Sequence, residues 1–139
     1  MEGCSSLKRS LLVSTGTGDG WLNRLRKAVL ALGANVELIT ESEVRNTRLV
    51  DFDLVVLDAA ATSDLHSMIS AIRLQDPEAR IVVFSSVDDW KRAREVMLAG
   101  AVDYAVKSSD ERELVSTLKQ CLLRPVPPLM PGSDVNGGK

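Results

Sequence analysis

The feature that most restricts the fold of this chain is a short apolar run at its centre, Leu54-Val-Val-Leu57, between Asp53 and Asp58. A run this short, with β-branched residues in its middle, predicts a strand buried on both faces, as in the centre of a parallel sheet. Asp58 then lies at the carboxyl end of that strand. In open parallel α/β sheets ligands bind at this edge, so Asp58 is the first candidate functional residue.

Hydrophobic periodicity predicts strands and helices in alternation along the rest of the chain. The strands are predicted at positions 7–14, 35–40, 53–58, 81–85 and 102–106. The first helix begins at Trp21 and ends near Gly33, and a short second helix is predicted from Ser42 to Leu49. The remaining helices are predicted from a cap at Ser63 or Asp64 to a stop before Pro77, from Asp88 or Asp89 to Gly100, and from a capping box of Ser108 and Glu111 onward.

Five strands alternating with five helices predict an α/β fold. Right-handed crossovers place helices on both faces of a single doubly wound, five-stranded parallel sheet, with flavodoxin-like strand order 2-1-3-4-5. The helical stripes predict that Trp21, Trp90, Val96 and Met97 face the core. One domain is expected over residues 1–124. Residues 125–139, rich in proline and glycine, are expected to be a disordered tail or linker.

Composition and charge exclude several classes of function. With 17 basic and 19 acidic side chains, the formal charge of -2 offers no patch for nucleic acid or an anionic membrane. No apolar stretch approaches the roughly 20 residues that span a bilayer. Cys4 and Cys121 form no motif, so we expect free thiols and a cytoplasmic protein.

Polar residues follow three of the predicted strands: Asp58 after the third, Ser85 and Ser86 after the fourth, and Lys107 after the fifth. With the stretch Gly100-Ala-Val-Asp-Tyr-Ala-Val-Lys107, this pattern resembles the receiver domain of two-component response regulators over about residues 7–123. The resemblance implies that Asp58 accepts phosphate and that Ser85 and Lys107 contact it. It also implies that Tyr104 is the aromatic residue that turns inward on activation.

The chain departs from the receiver pattern after the first strand. Receivers that use Mg²⁺ carry a pair of acids there, whereas this sequence has Ser14-Thr15-Gly16, and Asp19 is the only acid in the loop. Mg²⁺ requires an octahedral set of oxygen ligands, usually with more than one carboxylate. We therefore expect no cofactor, with at most weak Mg²⁺ binding. Asp58 and Lys107 should pair with each other without competition from a second carboxylate.

The glycine-rich loop from Thr15 to Gly20 supports an alternative reading. It follows a strand and opens a helix, where backbone N–H groups and the helix dipole can hold phosphate. It also resembles the phosphate loop of flavodoxins, with Gly20 in place of a final threonine. The alternative function is thus a small flavodoxin-like protein that binds phosphate or FMN. The loop is not a nucleotide P-loop, because no Lys-Ser or Lys-Thr pair follows its glycines.

The receiver reading implies protein partners rather than catalytic turnover. A basic cluster of Lys91, Arg92 and Arg94 lies on the predicted fourth helix. In receivers the fourth helix, fifth strand and fifth helix often form the partner surface, so a histidine kinase, another signalling protein or a second copy of the chain is the expected partner. His66 has no acid or nucleophile at a useful spacing and is expected to be an exposed polar residue.

Overall fold

The structure, a computed structural model, describes residues 9–13, 21–46 and 52–128. The strands in these ranges form one parallel sheet in the order β2-β1-β3-β4-β5, which is the flavodoxin-like order. Their bounds are β1 (Arg9–Val13), β2 (Asn35–Ile39), β3 (Leu54–Asp58), β4 (Ile81–Ser85) and β5 (Asp103–Val106). The α/β fold with a parallel sheet is therefore confirmed.

The described residues contain four α-helices rather than the five predicted. They are α1 (Trp21–Ala31), α2 (Leu65–Gln75), α3 (Trp90–Ala99) and α4 (Glu111–Leu123). The short helix predicted from Ser42 to Leu49 is present as a 3-10 helix over Glu41–Asn46, while positions 47–49 lie outside the described residues. Ser42, Val44 and Asn46 favour helix weakly, and a 3-10 turn is a common short connector.

The sheet buries a separate apolar cluster on each face, and each cluster is covered by a pair of helices. Helices α2 and α3 pack together on one face, over Val55, Leu57, Ile81 and Val83. Helices α1 and α4 pack together on the other face, over Leu54, Val56, Val82 and Phe84. Strands β3 and β4 are buried at every position, so the acid that ends β3 is held in a rigid frame.

Aspartates cap three of the helices. Asp64, Asp89 and Asp110 each accept backbone N–H bonds from the first turn of α2, α3 and α4. Hydrogen bonds from the backbone and side chain of Ser67 lower the pKa of Asp64 below its usual value. The predicted capping box at Ser108 is wrong, because Ser108 Oγ instead accepts the N–H of Asp110 and donates to Glu113.

The prediction for the inner face of α3 is only partly right. Val96 is fully buried, but Trp90 is 68% exposed and Met97 is 38% exposed. Trp90 is the first residue of its helix, and there its side chain lies mostly outside the core. The other tryptophan, Trp21, is buried at 4% exposure as predicted, and His66 is exposed as predicted.

No helix within the described residues is long and apolar enough to cross a membrane. Cys121 is a free thiol on the inner face of α4. Burial, aided by the negative charge of Asp103, raises the pKa of this thiol to about 12. Cys121 is therefore protonated and unreactive at neutral pH in the folded protein.

Residues 126–128 of the segment that was predicted to be a disordered tail or linker contact the domain. Val126 packs against the cluster under α1 and α4, and the carbonyl of Pro127 accepts a hydrogen bond from Arg73 Nη2. Positions 129–139 lie outside the described residues, so a tail or linker there stays a prediction.

Gly100, which ends α3, occupies a backbone conformation that suits no other residue well. Its φ is +124°, and a Cβ there would lie 2.8 Å from Arg73 Nη1, whereas Gly33 has φ +83° and nothing within 4 Å of such a Cβ.

We expect Gly33→Ala to lower the free energy of unfolding by about 1 kcal/mol from backbone strain. Gly100→Ala should lower the free energy of unfolding by about 3 kcal/mol, because the added Cβ also displaces the buried guanidinium of Arg73. Urea denaturation of both variants measures this; equal losses would contradict the close approach of Arg73.

Candidate functional site at the carboxyl edge of the sheet

Asp58 is the last residue of β3, and it is buried with 4% of its surface exposed. Its carboxylate Oδ1 accepts the N–H of Ala60 at 2.9 Å and so caps the 3-10 turn Ala59–Ala61. The hydroxyl of Thr62 donates to the backbone carbonyl of Asp58 at 3.0 Å. These bonds fix the carboxylate at the edge of the sheet, where the sequence predicted it.

Lys107 forms a direct ion pair with Asp58. Its Nζ lies 2.9 Å from Asp58 Oδ1, and the two side chains are only 10% and 6% exposed. The backbone N–H of Lys107 donates to the carbonyl of Ser85 at 2.7 Å, which continues the β4–β5 pairing by one step and aims the side chain across β4. A buried pair of this kind is tolerated only while both charges are present, because the loss of one leaves the other buried without compensation.

Trp21 provides a second contact for the same ammonium group. Lys107 Nζ lies 4.8 Å from the centroid of the Trp21 ring, which in turn packs against Phe84 with centroids 5.2 Å apart. A desolvated contact between a cation and an indole is worth about 2 kcal/mol. The indole Nε1 is buried and has no hydrogen-bond partner among the described residues. The aromatic ring therefore contributes its π face, rather than a hydrogen bond, to the site.

Periodicity alone identified Trp21 as a core residue and missed this role. Trp21 is the first residue of α1, after the loop that follows β1. The helix that follows a strand of a parallel sheet begins at the carboxyl edge of that sheet. The place of Trp21 in the topology could therefore have indicated its role in the site.

The two predicted switch residues both form hydrogen bonds with the main chain of Val87. Ser85 is buried, and its Oγ accepts the N–H of Val87 at 3.2 Å. Tyr104 is half-buried against the cluster under α2 and α3, and its hydroxyl donates to the carbonyl of Val87 at 3.1 Å. The main chain of Val87 therefore joins Ser85 to Tyr104, a link that the sequence did not predict.

The residues predicted to replace the acidic pair, Ser14, Thr15, Gly16 and Asp19, lie outside the described residues, as does the rest of the Thr15–Gly20 loop. Their role in the site and the phosphate-binding alternative stay predictions. Within the described ranges, no three His, Cys, Asp or Glu side chains come together as a metal site. Asp58 Oδ1 already accepts two hydrogen-bond donors. Taken alone, the donors of the described residues are incomplete for Mg²⁺, which needs several oxygen ligands and usually a second carboxylate.

Lys91, Arg92 and Arg94 are exposed on α3, as predicted for a basic surface. The ammonium of Lys91 lies 5.8 Å from the ring centroid of the exposed Trp90. Val87 and Val106 are also exposed, at 56% and 42%. We call the six residues Lys91, Arg92, Arg94, Trp90, Val87 and Val106 the α3–β5 surface; it combines positive charge with apolar area.

The fold closely resembles solved structures of response regulators. A response regulator from Thermotoga maritima is 23% identical, with a TM-score of 0.72, and the match covers 84% of this chain and 98% of that one. A LuxR-family two-component response regulator from Aurantimonas sp. SI85-9A1 is 26% identical, with a TM-score of 0.71, over 87% and 89% of the two chains. A CheY-like receiver domain from Methanospirillum hungatei JF-1 is 20% identical, with a TM-score of 0.67, over 84% and 94%.

No protein-family model matches the chain, and the comparison with curated proteins gives no match either. The similarity therefore rests on structure, and the predicted resemblance to receiver domains is confirmed at the level of the fold.

The ion pair between Asp58 and Lys107 gives a testable expectation for stability. Lys107→Met leaves a buried carboxylate without its cation and should lower the free energy of unfolding by about 3 kcal/mol. Asp58→Asn combined with Lys107→Met should cost less than the sum of the single changes, because no charge is left unpaired.

The matched control is Asp103→Asn, which removes the charge from the more exposed Asp103–Arg124 pair but keeps an oxygen for the N–H of Tyr104. It should cost less than about 1 kcal/mol. Chemical denaturation of all four variants gives these values. Strict additivity of Asp58→Asn and Lys107→Met would show that the pair is not energetically coupled.

Proposed function

We propose that this receiver-fold chain is an atypical response-regulator receiver module, which transmits a signal through protein contacts, with Mg²⁺-dependent phosphorylation at Asp58 absent or weakened. The observation that carries the proposal is the buried pair of Asp58 and Lys107 at the carboxyl edge of the sheet. In the receiver pattern these are the phosphoacceptor and the lysine that pairs with it, and here they bind each other.

The chemistry of phosphoryl transfer supports weak phosphorylation. A carboxylate that attacks a phosphoryl group needs positive charge to offset the charge on the transferred oxygens. Lys107 supplies one such charge and Ser85 one hydroxyl, but the described donors do not fit the metal that would supply the rest. Oδ1 of Asp58 is already bonded to Lys107 and Ala60, so attack through that oxygen would require both bonds to break.

The bonds of Val87 support a switch that works without a metal. Ser85 accepts a hydrogen bond from the backbone N–H of Val87, and Tyr104 donates one to its carbonyl. Val87 lies in the loop between β4 and α3. Any event that rotates Tyr104 breaks the bond to Val87 and releases the loop that leads into α3. A bias of a few kcal/mol between the two positions is sufficient for a two-state element of this kind.

The α3–β5 surface supports a protein partner that carries acidic and apolar groups. Its exposed Trp90 is a typical interface anchor, and its three cations, which lie beside Asp89 and Glu95, offer contacts to acidic groups of a partner. A histidine kinase, another signalling protein or a second copy of this chain fits that description. The negative formal charge of the whole chain does not favour nucleic acid as a partner.

Treatment with a small-molecule phosphodonor and Mg²⁺, followed by intact-mass analysis, tests the phosphorylation claim. We expect little or no added phosphoryl mass, since the donor set for the metal is incomplete. Asp58→Asn is the control for modification at other residues. Stoichiometric modification that Asp58→Asn abolishes would contradict the proposal.

The two tryptophans allow surface and core roles to be separated. Trp90→Ala should change the free energy of unfolding by less than about 0.5 kcal/mol, because the side chain is mostly exposed. Trp21→Ala should cost about 3 to 5 kcal/mol, because it removes a buried ring.

If the α3–β5 surface mediates self-association, Trp90→Ala also shifts the chain from dimer to monomer in sedimentation velocity. A dimer that persists unchanged in this variant would place the dimer contact elsewhere.

A further inference from the structure

Arg73 is the most unusual side chain outside the carboxyl-edge site. It lies on α2 and is 1% exposed, although it carries a full charge. Its guanidinium donates to two backbone carbonyls, that of Gly100 at 2.7 Å and that of Pro127. Its Nε has no partner among the described residues. Burial lowers the pKa of this guanidinium, while the charges of Asp76 and Glu78 act in the opposite direction.

The two carbonyls belong to segments that are far apart in the sequence. Gly100 ends α3 just before β5, while Pro127 follows α4. An arginine offers donors in a rigid planar fork, so a single side chain can hold both segments in fixed positions. The open space left beside Arg73 is a cavity of about 300 Å³. Leu74, Met97 and Leu98 line it on the helical side, and Pro127 and Pro128 line it on the other.

Further contacts hold the same segment at its start. Arg80 Nε donates to the carbonyl of Arg124 at 3.3 Å, and Arg124 Nη1 lies 3.4 Å from both the carbonyl of Val102 and the carboxylate of Asp103. The side chain of Val126 packs against the cluster under α1 and α4. Contacts therefore tie positions 124, 126 and 127 to the amino edge of the sheet, opposite Asp58.

We propose that the groove between α2 and α3 is the docking site of Pro127 and Pro128, which end the chain's own proline segment 125–128, and that Arg73 is the residue that holds the segment there. Three of these four residues are proline, so the segment loses little conformational entropy when it docks. The carbonyl of Pro127 accepts a hydrogen bond from Arg73, and the prolines have no N–H groups that would need an acceptor in the groove.

The docked segment fixes where the C-terminal chain leaves the domain. Pro128, the last described residue, lies beside α2 and α3 rather than below α4, where the last helix ends. The start of the segment is also connected to the switch region. Arg124 contacts Asp103, and Asp103 accepts the N–H of Tyr104 at 2.8 Å. Asp103 therefore contacts both the start of the segment and the backbone of Tyr104.

A thiol at position 127 tests the proposal in the full-length chain. Pro127→Cys keeps the carbonyl that Arg73 binds and places a thiol at a half-buried position. Cys4→Ser is introduced so that Cys121 is the only other thiol in the variant. Cys121 is retained, because it is buried and becomes reactive only if the domain itself unfolds.

The measurement is the rate at which an aromatic disulfide reagent modifies each thiol. Mass spectrometry assigns the modified site. We expect Arg73→Met to speed modification at position 127 by about tenfold, the effect of losing a charged hydrogen bond, while Cys121 stays protected. Arg80→Met is the matched control. The bond of Arg80 is to the carbonyl of Arg124 and is more exposed. Its loss should therefore speed modification at position 127 by less than about threefold, as for a weak surface contact.

Three results would overturn the proposal. An unchanged rate at position 127 would mean that Arg73 does not hold the segment. Simultaneous exposure of position 127 and Cys121 would make Arg73 a core residue whose loss unfolds the domain. Protection at position 127 that depends on protein concentration would make a second copy of the chain, rather than this segment's own groove, the docking partner.

Discussion

The carboxyl edge of this sheet depends on one interaction, the ion pair of Asp58 and Lys107. Both groups are almost fully buried, so neither charge is tolerated there without the other. The surrounding contacts are consistent with this requirement. Ala60 donates an N–H to the carboxylate, Trp21 lies against the ammonium, and the backbone of Lys107 is fixed to that of Ser85. Among the described residues, the charge of Asp58 is therefore matched by that of Lys107.

The fold and the positions of the main site residues could be predicted from the sequence because they depend on patterns along the chain. Buried strands such as Leu54–Asp58 are nearly continuous apolar runs, and parallel topology then brings Asp58, Ser85 and Lys107 to one edge. The error at Trp90 has a different origin. Helical periodicity gives the face of a residue but not whether the sheet extends far enough to cover the first turn.

Other features could not be predicted, because they depend on contacts between residues far apart in the sequence. The contact of Trp21 with Lys107 joins the first helix to the end of the last strand, and the bonds of Val87 join Ser85 to Tyr104. Arg73 resembled an exposed basic residue on a helix, yet it is buried between Gly100 and Pro127. In each case a polar or aromatic group is placed by a partner that no local pattern identifies.

Mg²⁺ titration followed by the fluorescence of Trp21 tests the central claim most directly. Trp90→Phe leaves Trp21 as the single tryptophan, and its ring touches the ammonium that a metal at Asp58 would displace. We predict no saturable change in emission up to millimolar Mg²⁺, because Lys107 already neutralises the carboxylate. A saturable change that disappears when Asp58→Asn is added would show that the pocket still binds the metal and would contradict the account.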